Sequence, residues 1–128
     1  MKLRIKGNSL RLRVMRSEVE ALLKSGRIEE TVCLGPDDHS RLTYSLGQDS
    51  LIDAPAVHFN PPALTVSLPA RDVERWAAGD QIGIYATLDL GLRGSLDLIV
   101  EKDFACLHGT VEENQDAFPN PHSAVHSS

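Results

Sequence analysis

Aromatic side chains are scarce in this chain: one Trp, two Tyr and three Phe make up 5% of its residues. The core must therefore come mainly from Leu, Val and Ile, within an apolar share of 41% that sits slightly below the usual range for soluble domains. Cysteine is scarce too. Cys33 and Cys106 form no CxxC pair, which excludes a disulfide framework and a structural zinc site of spaced ligand pairs, and both are expected to be reduced. No run approaches the roughly 18–20 apolar residues of a membrane span. The opening Met-Lys-Leu-Arg-Ile-Lys-Gly has neither an apolar h-region nor a small-residue cleavage site. The expectation is a cytoplasmic protein with no membrane partner. The chain also lacks a P-loop, a GxGxxG turn after a strand, a GxSxG elbow and the HxE…PCxxC pattern of deaminases. Its five histidines are scattered without ligand spacing, so no metal site is assigned, and the residues name no cofactor.

What the chain does have is an uneven charge. Thirteen Lys and Arg against eighteen Asp and Glu give −5, which is not the global footprint of a duplex nucleic-acid binder. Residues 1–27 carry eight basic and two acidic groups, hence +6. Residues 28–128 carry five basic and sixteen acidic groups, hence −11.

At 128 residues the length suits one domain. Sliding the sequence against itself by 54 residues aligns its apolar pattern without a gap. Leu10, Leu12 and Val14 fall on Leu64, Val66 and Leu68; Val19 and Leu22 on Val73 and Trp76; Ile28 on Ile82; Leu42, Tyr44 and Leu46 on Leu96, Leu98 and Val100. The predicted organisation is a single domain over 1–121 made of two pseudo-repeats, about 1–50 and 55–104, with 122–128 as a flexible tail. Each repeat reads β-β-α-β-β. Period-two alternation predicts strands over 2–6, 9–14, 28–34, 41–46, 56–60, 63–68, 82–88 and 95–102. Gly7-Asn8 supplies a two-residue hairpin turn. Ser17-x-x-Glu20 reads as a capping box with Ser17 as N-cap to a helix over 18–25 that stops at Gly26. A second helix is predicted over 70–78. Short loops favour antiparallel neighbours. The expected fold is α+β, an internally duplicated β-β-α-β-β unit with about eight mostly antiparallel strands, as an open curved sheet or a barrel, and two short helices on one face.

Strand phase then defines a polar face. It holds Lys2, Arg4, Lys6, Arg11, Arg13 and Arg41, with Glu29, His58, Thr65, Tyr85, Asp97 and Glu101 among the rest. Such a face fits an ordinary solvated sheet surface, and basic edge strands block edge-to-edge pairing. It also fits an anion site, because guanidinium groups grip phosphate or carboxylate in bidentate fashion. Arg4, Arg11, Arg13 and Arg41 would be adjacent if the first, second and fourth strands are neighbours. The candidate ligand-binding residues are Arg4, Arg11, Arg13, Arg41, Glu101 and Lys102, taking a small anionic ligand or a protein partner. The alternative is a metal-assisted phosphohydrolase, with Glu29, Asp97 and Glu101 holding a divalent ion. In outline this is similar to triphosphate tunnel enzymes, although their N-terminal Glu-x-Glu-x-Lys element is replaced here by Lys2-Leu3-Arg4-Ile5-Lys6. Little aromatic surface beyond Tyr85 argues against a nucleic-acid platform. Asp103, Cys106 and His108, with Glu112 or Glu113, form a further candidate for a mixed metal site, or for a Cys106 nucleophile with His108 as base. A buried Cys106 beside an ordinary loop His108 fits the same residues.

The opening Lys2-Leu3-Arg4-Ile5-Lys6-Gly7-Asn8-Ser9-Leu10-Arg11-Leu12-Arg13 and the late segments Glu101–Leu107 and Asp116–Pro121 resemble a family of small bacterial proteins of unknown function. The resemblance spans residues 1–121 and implies no activity, ligand or catalytic residue. It makes the two ends of the chain candidates for a shared surface, where the basic N-terminal strands meet the acidic C-terminal segment.

Overall fold

The structure, a computed structural model, describes residues 1–104 and 116–118. In chain order the elements are β1 (Lys2–Lys6), β2 (Ser9–Val14), α1 (Arg16–Ser25), β3 (Arg27–Cys33), β4 (Arg41–Asp49), β5 (Ala56–Asn60), β6 (Ala63–Pro69), α2 (Ala70–Ala78), β7 (Gly83–Asp89) and β8 (Ser95–Lys102). The fold is α+β, as the alternation and the short helices predict. The strands form two open four-stranded sheets, ordered β1-β2-β8-β7 and β3-β4-β6-β5. Two of the three strand contacts in the first sheet are hairpins: β1–β2 and β7–β8 are antiparallel, while the central β2–β8 contact is parallel. The second sheet repeats this with antiparallel β3–β4 and β5–β6 around a parallel β4–β6 contact.

The chain divides into two compact units. One contains Met1–Val19 and the described residues from Ile82 onward; the other is Glu20–Gln81. Each unit holds one sheet, and each sheet takes one hairpin from residues 1–50 and one from residues 55–104. The registers of the two sheets correspond. Thr43 pairs with Ala63 in one and Ser9 with Asp97 in the other, positions that differ by 54 in both strands. The outer pairing Lys2–Arg13 likewise corresponds to Ala56–Ser67. For β7 the offset is 56, since Ile28 pairs with Leu46 whereas Ile84 pairs with Val100. The gapless offset of 54 therefore misplaces this strand by two residues. The physical cause is the connection: residues 34–40 join β3 to β4, but only residues 90–94 join β7 to β8. A shift of two keeps every side chain on its own face.

Local sequence explains the elements. The β1–β2 hairpin closes at Lys6–Ser9 around Gly7, whose φ of 56° is open to glycine at little steric cost. Gly26, at φ 82°, ends α1 with its N–H on the Leu22 carbonyl. Leu10, Leu12, Val14, Ile84, Leu98 and Val100 are buried on one face of the first sheet. In the second unit, Tyr44, Leu46, Leu64, Val66 and Leu68 are buried, and α2 packs over β4 and β6 with Val73 and Trp76 inward.

The start of α1 departs from expectation. The helix begins at Arg16, and the reciprocal cap is made by Glu18, whose carboxylate accepts the Met15 N–H at 2.9 Å. Ser17 is not the N-cap. Its N–H and hydroxyl donate to Asp116, far along the chain, and the Arg16 N–H donates to the Asp116 carbonyl at 3.0 Å. A distant carboxylate has taken the role that the local pattern assigned to Ser17. Next to it Ala117 is buried and Phe118 bridges to Phe104. No helix among the described residues is long and apolar enough to cross a membrane.

Candidate functional site

The solvent-facing side of the β1-β2-β8-β7 sheet is a grid of three rows set by register. Lys2, Arg13, Glu101 and Gly83 form the first row; Arg4, Arg11, Ile99 and Tyr85 the second; Lys6, Ser9, Asp97 and Thr87 the third. Side chains in a row point the same way because directly paired residues share a face. The first two rows set like charges opposite one another, Lys2 against Arg13 and Arg4 against Arg11, an arrangement that destabilises a sheet.

Carboxylates answer part of this charge. Glu101 Oε1 lies 3.3 Å from Nε of Arg11 and 3.3 Å from Nε of Arg13. Arg13 Nε donates a hydrogen bond to it, whereas the buried Arg11 Nε is in ion-pair range without hydrogen-bond alignment. Lys2 Nζ reaches Asp103 at 3.1 Å. Asp97 accepts from the Thr87 hydroxyl at 3.1 Å. Among the described residues no carboxylate pairs with Arg4 or Lys6. These two, with Ser9, Arg11 and Ile99, line a depression of about 190 Å³. Ile99 also lines a second depression of about 340 Å³ with Tyr85, Thr87 and Asp97.

Of the six candidate ligand residues, the sheet brings together Arg4, Arg11, Arg13 and Glu101. Arg41 is not with them. It starts β4, in the other sheet, and its guanidinium donates to the Asp38 carbonyl. The condition that would have joined it fails, since β2 is flanked by β1 and β8. Lys102 is adjacent to Glu101 on a strand and therefore faces the opposite side. It is buried, with Nζ 5.3 Å from the centre of the Phe118 ring, which meets Phe104 edge-on at 6.3 Å. Lys6, Ser9 and Ile99 complete the depression although they were not among those six; they share the strand phase of Arg4 and Arg11, which was the available signal.

The carboxylates named for a metal are divided between the two sheets. Glu29 lies on β3 in the other sheet and pairs with Arg27, while Glu101 is clasped by two arginines. No group of three or more His, Cys, Asp or Glu side chains among the described residues is arranged to hold a metal ion. Both sheets are open, so neither forms a tunnel on its own. Cys106, His108, Glu112, Glu113 and the tail at 122–128 lie outside the described residues.

The opening residues and the described late residues do meet. Beyond the Lys2–Asp103 pair and the Asp116 contacts with α1, the N-terminal ammonium pairs with Glu18 and the Arg16 guanidinium donates to the Ala117 carbonyl at 3.2 Å. Its hydrogen bonds from Ser17, above all that from the hydroxyl, hold the Asp116 carboxyl below its ordinary value of 3.8.

The basic first strands, and Asp103 and Asp116 of this clasp, lie in the segments that carry the resemblance noted from the sequence. A family model matches residues 1–122. The chain belongs to DUF7009, a family of unknown function. No curated protein and no solved structure matches it. Membership in DUF7009 brings no activity, so the grid has to be read on its own chemistry.

Proposed function

We propose that this chain is a small binding module whose β1-β2-β8-β7 face takes an anionic ligand or the acidic stretch of a partner, with Arg4, Lys6 and Arg11 as the gripping groups. One observation carries the reading. The corresponding positions of the other sheet, Ala56, His58 and Asn60 on β5 and Ala63, Thr65 and Ser67 on β6, hold neither Lys nor Arg. If this sheet architecture itself required cations there, as an edge guard or a solvated face, its counterpart would carry them too. The same correspondence of registers supports the view that the chain is a duplicated unit in which one copy has kept or acquired a charged face. Opposed arginines, costly to the sheet, gain a purpose when a phosphate or carboxylate lies between them.

The test is calorimetric titration with tripolyphosphate at low and moderate salt. Binding should weaken as salt rises. Arg4→Ala combined with Arg11→Ala should weaken it by roughly tenfold or more, the value of a charge-assisted hydrogen bond. His58→Ala combined with Thr65→Ala, at the matching positions of the other sheet, should leave it unchanged. Equal binding by the two double variants would overturn the assignment.

A further inference from the structure

The charged part of the grid explains only two of its four strands. Crossing from β2 to β8 and β7 along the second row, the side chains change from Arg4 and Arg11 to Ile99 and Tyr85. Tyr85 is 60% exposed on the solvent-facing side. The matching positions of the other sheet are Ser45 and Glu29, so this apolar pair is again peculiar to one sheet. Tyr85 also leans over its own strand. A Cβ added at Gly83 would lie 3.1 Å from Cζ of Tyr85, which places the ring above a position stripped of its side chain. The ring is thus supported from below by bare backbone while remaining open to solvent.

Resting on the anion-binding reading above, we propose that the ligand is a nucleoside phosphate, its phosphates on Arg4, Lys6 and Arg11 and its base stacked on Tyr85 against Ile99. The dimensions agree. Three strand spacings separate Arg4 from Tyr85, about 14 Å along the row, the reach of an extended nucleotide. Ile99 lines both depressions. Charge also selects the kind of apolar group. Ile99 is bracketed on β8 by Asp97 and Glu101. Ionised carboxylates are acceptors only, and Asp97 spends just part of its capacity on Thr87. An alkyl chain laid across Ile99 would desolvate the Asp97 oxygens with nothing to offer them. A sugar and base present hydroxyl, ring N–H and amino donors at the same place. Stacking on a tyrosine ring with an adjacent aliphatic side chain is a general mode of holding a base.

The experiment compares AMP, ribose 5-phosphate and sodium pyrophosphate by calorimetry at low salt, with wild type, Tyr85→Ala and Tyr85→Phe, each checked for an unchanged thermal melt. AMP should bind roughly tenfold more tightly than ribose 5-phosphate, the usual effect of stacking one base. Tyr85→Ala should erase that advantage and leave pyrophosphate binding intact, while Tyr85→Phe should retain it. If pyrophosphate binds but AMP gains nothing over ribose 5-phosphate, the base site is refuted and the anion site stands. If none of the three binds, both readings fall. If a single-stranded octanucleotide binds while AMP does not, the face serves a nucleic-acid strand and the small-ligand proposal is refuted.

Discussion

Replacing Asp116 by Ala tests how far a carboxylate from the end of the chain holds the first helix. Asp116 Oδ1 accepts the Ser17 N–H at 3.0 Å, and Oδ2 accepts the Ser17 hydroxyl. The Ser17 N–H belongs to the first turn of α1, where backbone donors have no partner within the helix. Losing a side chain that caps such a donor costs about 0.5–2 kcal/mol. The carboxylate is partly exposed, so water replaces some of what is lost and the charge-assisted gain is discounted. The expected destabilisation is about 1 kcal/mol, or roughly 3–6 °C in melting temperature for a chain of this length. The backbone bond from the Arg16 N–H to the Asp116 carbonyl survives the change, which isolates the side chain. The effect should also depend on pH. The folded-state pKa of Asp116 is lowered, chiefly by the Ser17 hydroxyl. Its contribution is therefore fully present above the ordinary value of 3.8 and is lost as pH falls through the lower folded value. Urea denaturation followed by circular dichroism should show a constant gap between wild type and Asp116→Ala from pH 5 to 8, and a shrinking gap below about pH 4. Ser17→Ala should overlap with Asp116→Ala in a double-mutant cycle rather than add to it. A gap under about 0.3 kcal/mol at neutral pH, or one that persists unchanged into acid, would refute this account of the helix start.

Two other outcomes follow from the same geometry. Glu101→Gln removes the carboxylate that competes for Arg11 and Arg13; a unit charge removed at about 6 Å in a water-like medium amounts to about 0.7 kcal/mol, so tripolyphosphate should bind roughly threefold tighter, the opposite of an arginine deletion. Leu46→Ala, at a fully buried position on β4, should destabilise by about 2–5 kcal/mol in urea denaturation, whereas Leu51→Ala, at an exposed position, should stay within about 0.5 kcal/mol.

The amino-acid sequence alone determined most of the local structure, the start of α1 excepted. Alternation placed β1, β2, β5 and β8 at their observed bounds and α2 at 70–78, because period and turn chemistry are properties of adjacent residues. It determined the face of each strand side chain as well, which is why Arg4, Arg11, Arg13 and Glu101 could be grouped before any pairing was known. Tertiary structure alone decided how the hairpins join into sheets. Parallel contacts between β2 and β8 and between β4 and β6 join residues more than a dozen positions apart, and no local pattern encodes them. That choice put Arg41 in a different sheet from Arg4, Arg11 and Arg13, set Ile99 and Tyr85 in line with Arg4, and put Lys102 against Phe118. It also brought Asp116 to Ser17. A local cap is written in four consecutive residues, but a competing carboxylate nearly a hundred residues away wins once the folded chain delivers it to the same N–H.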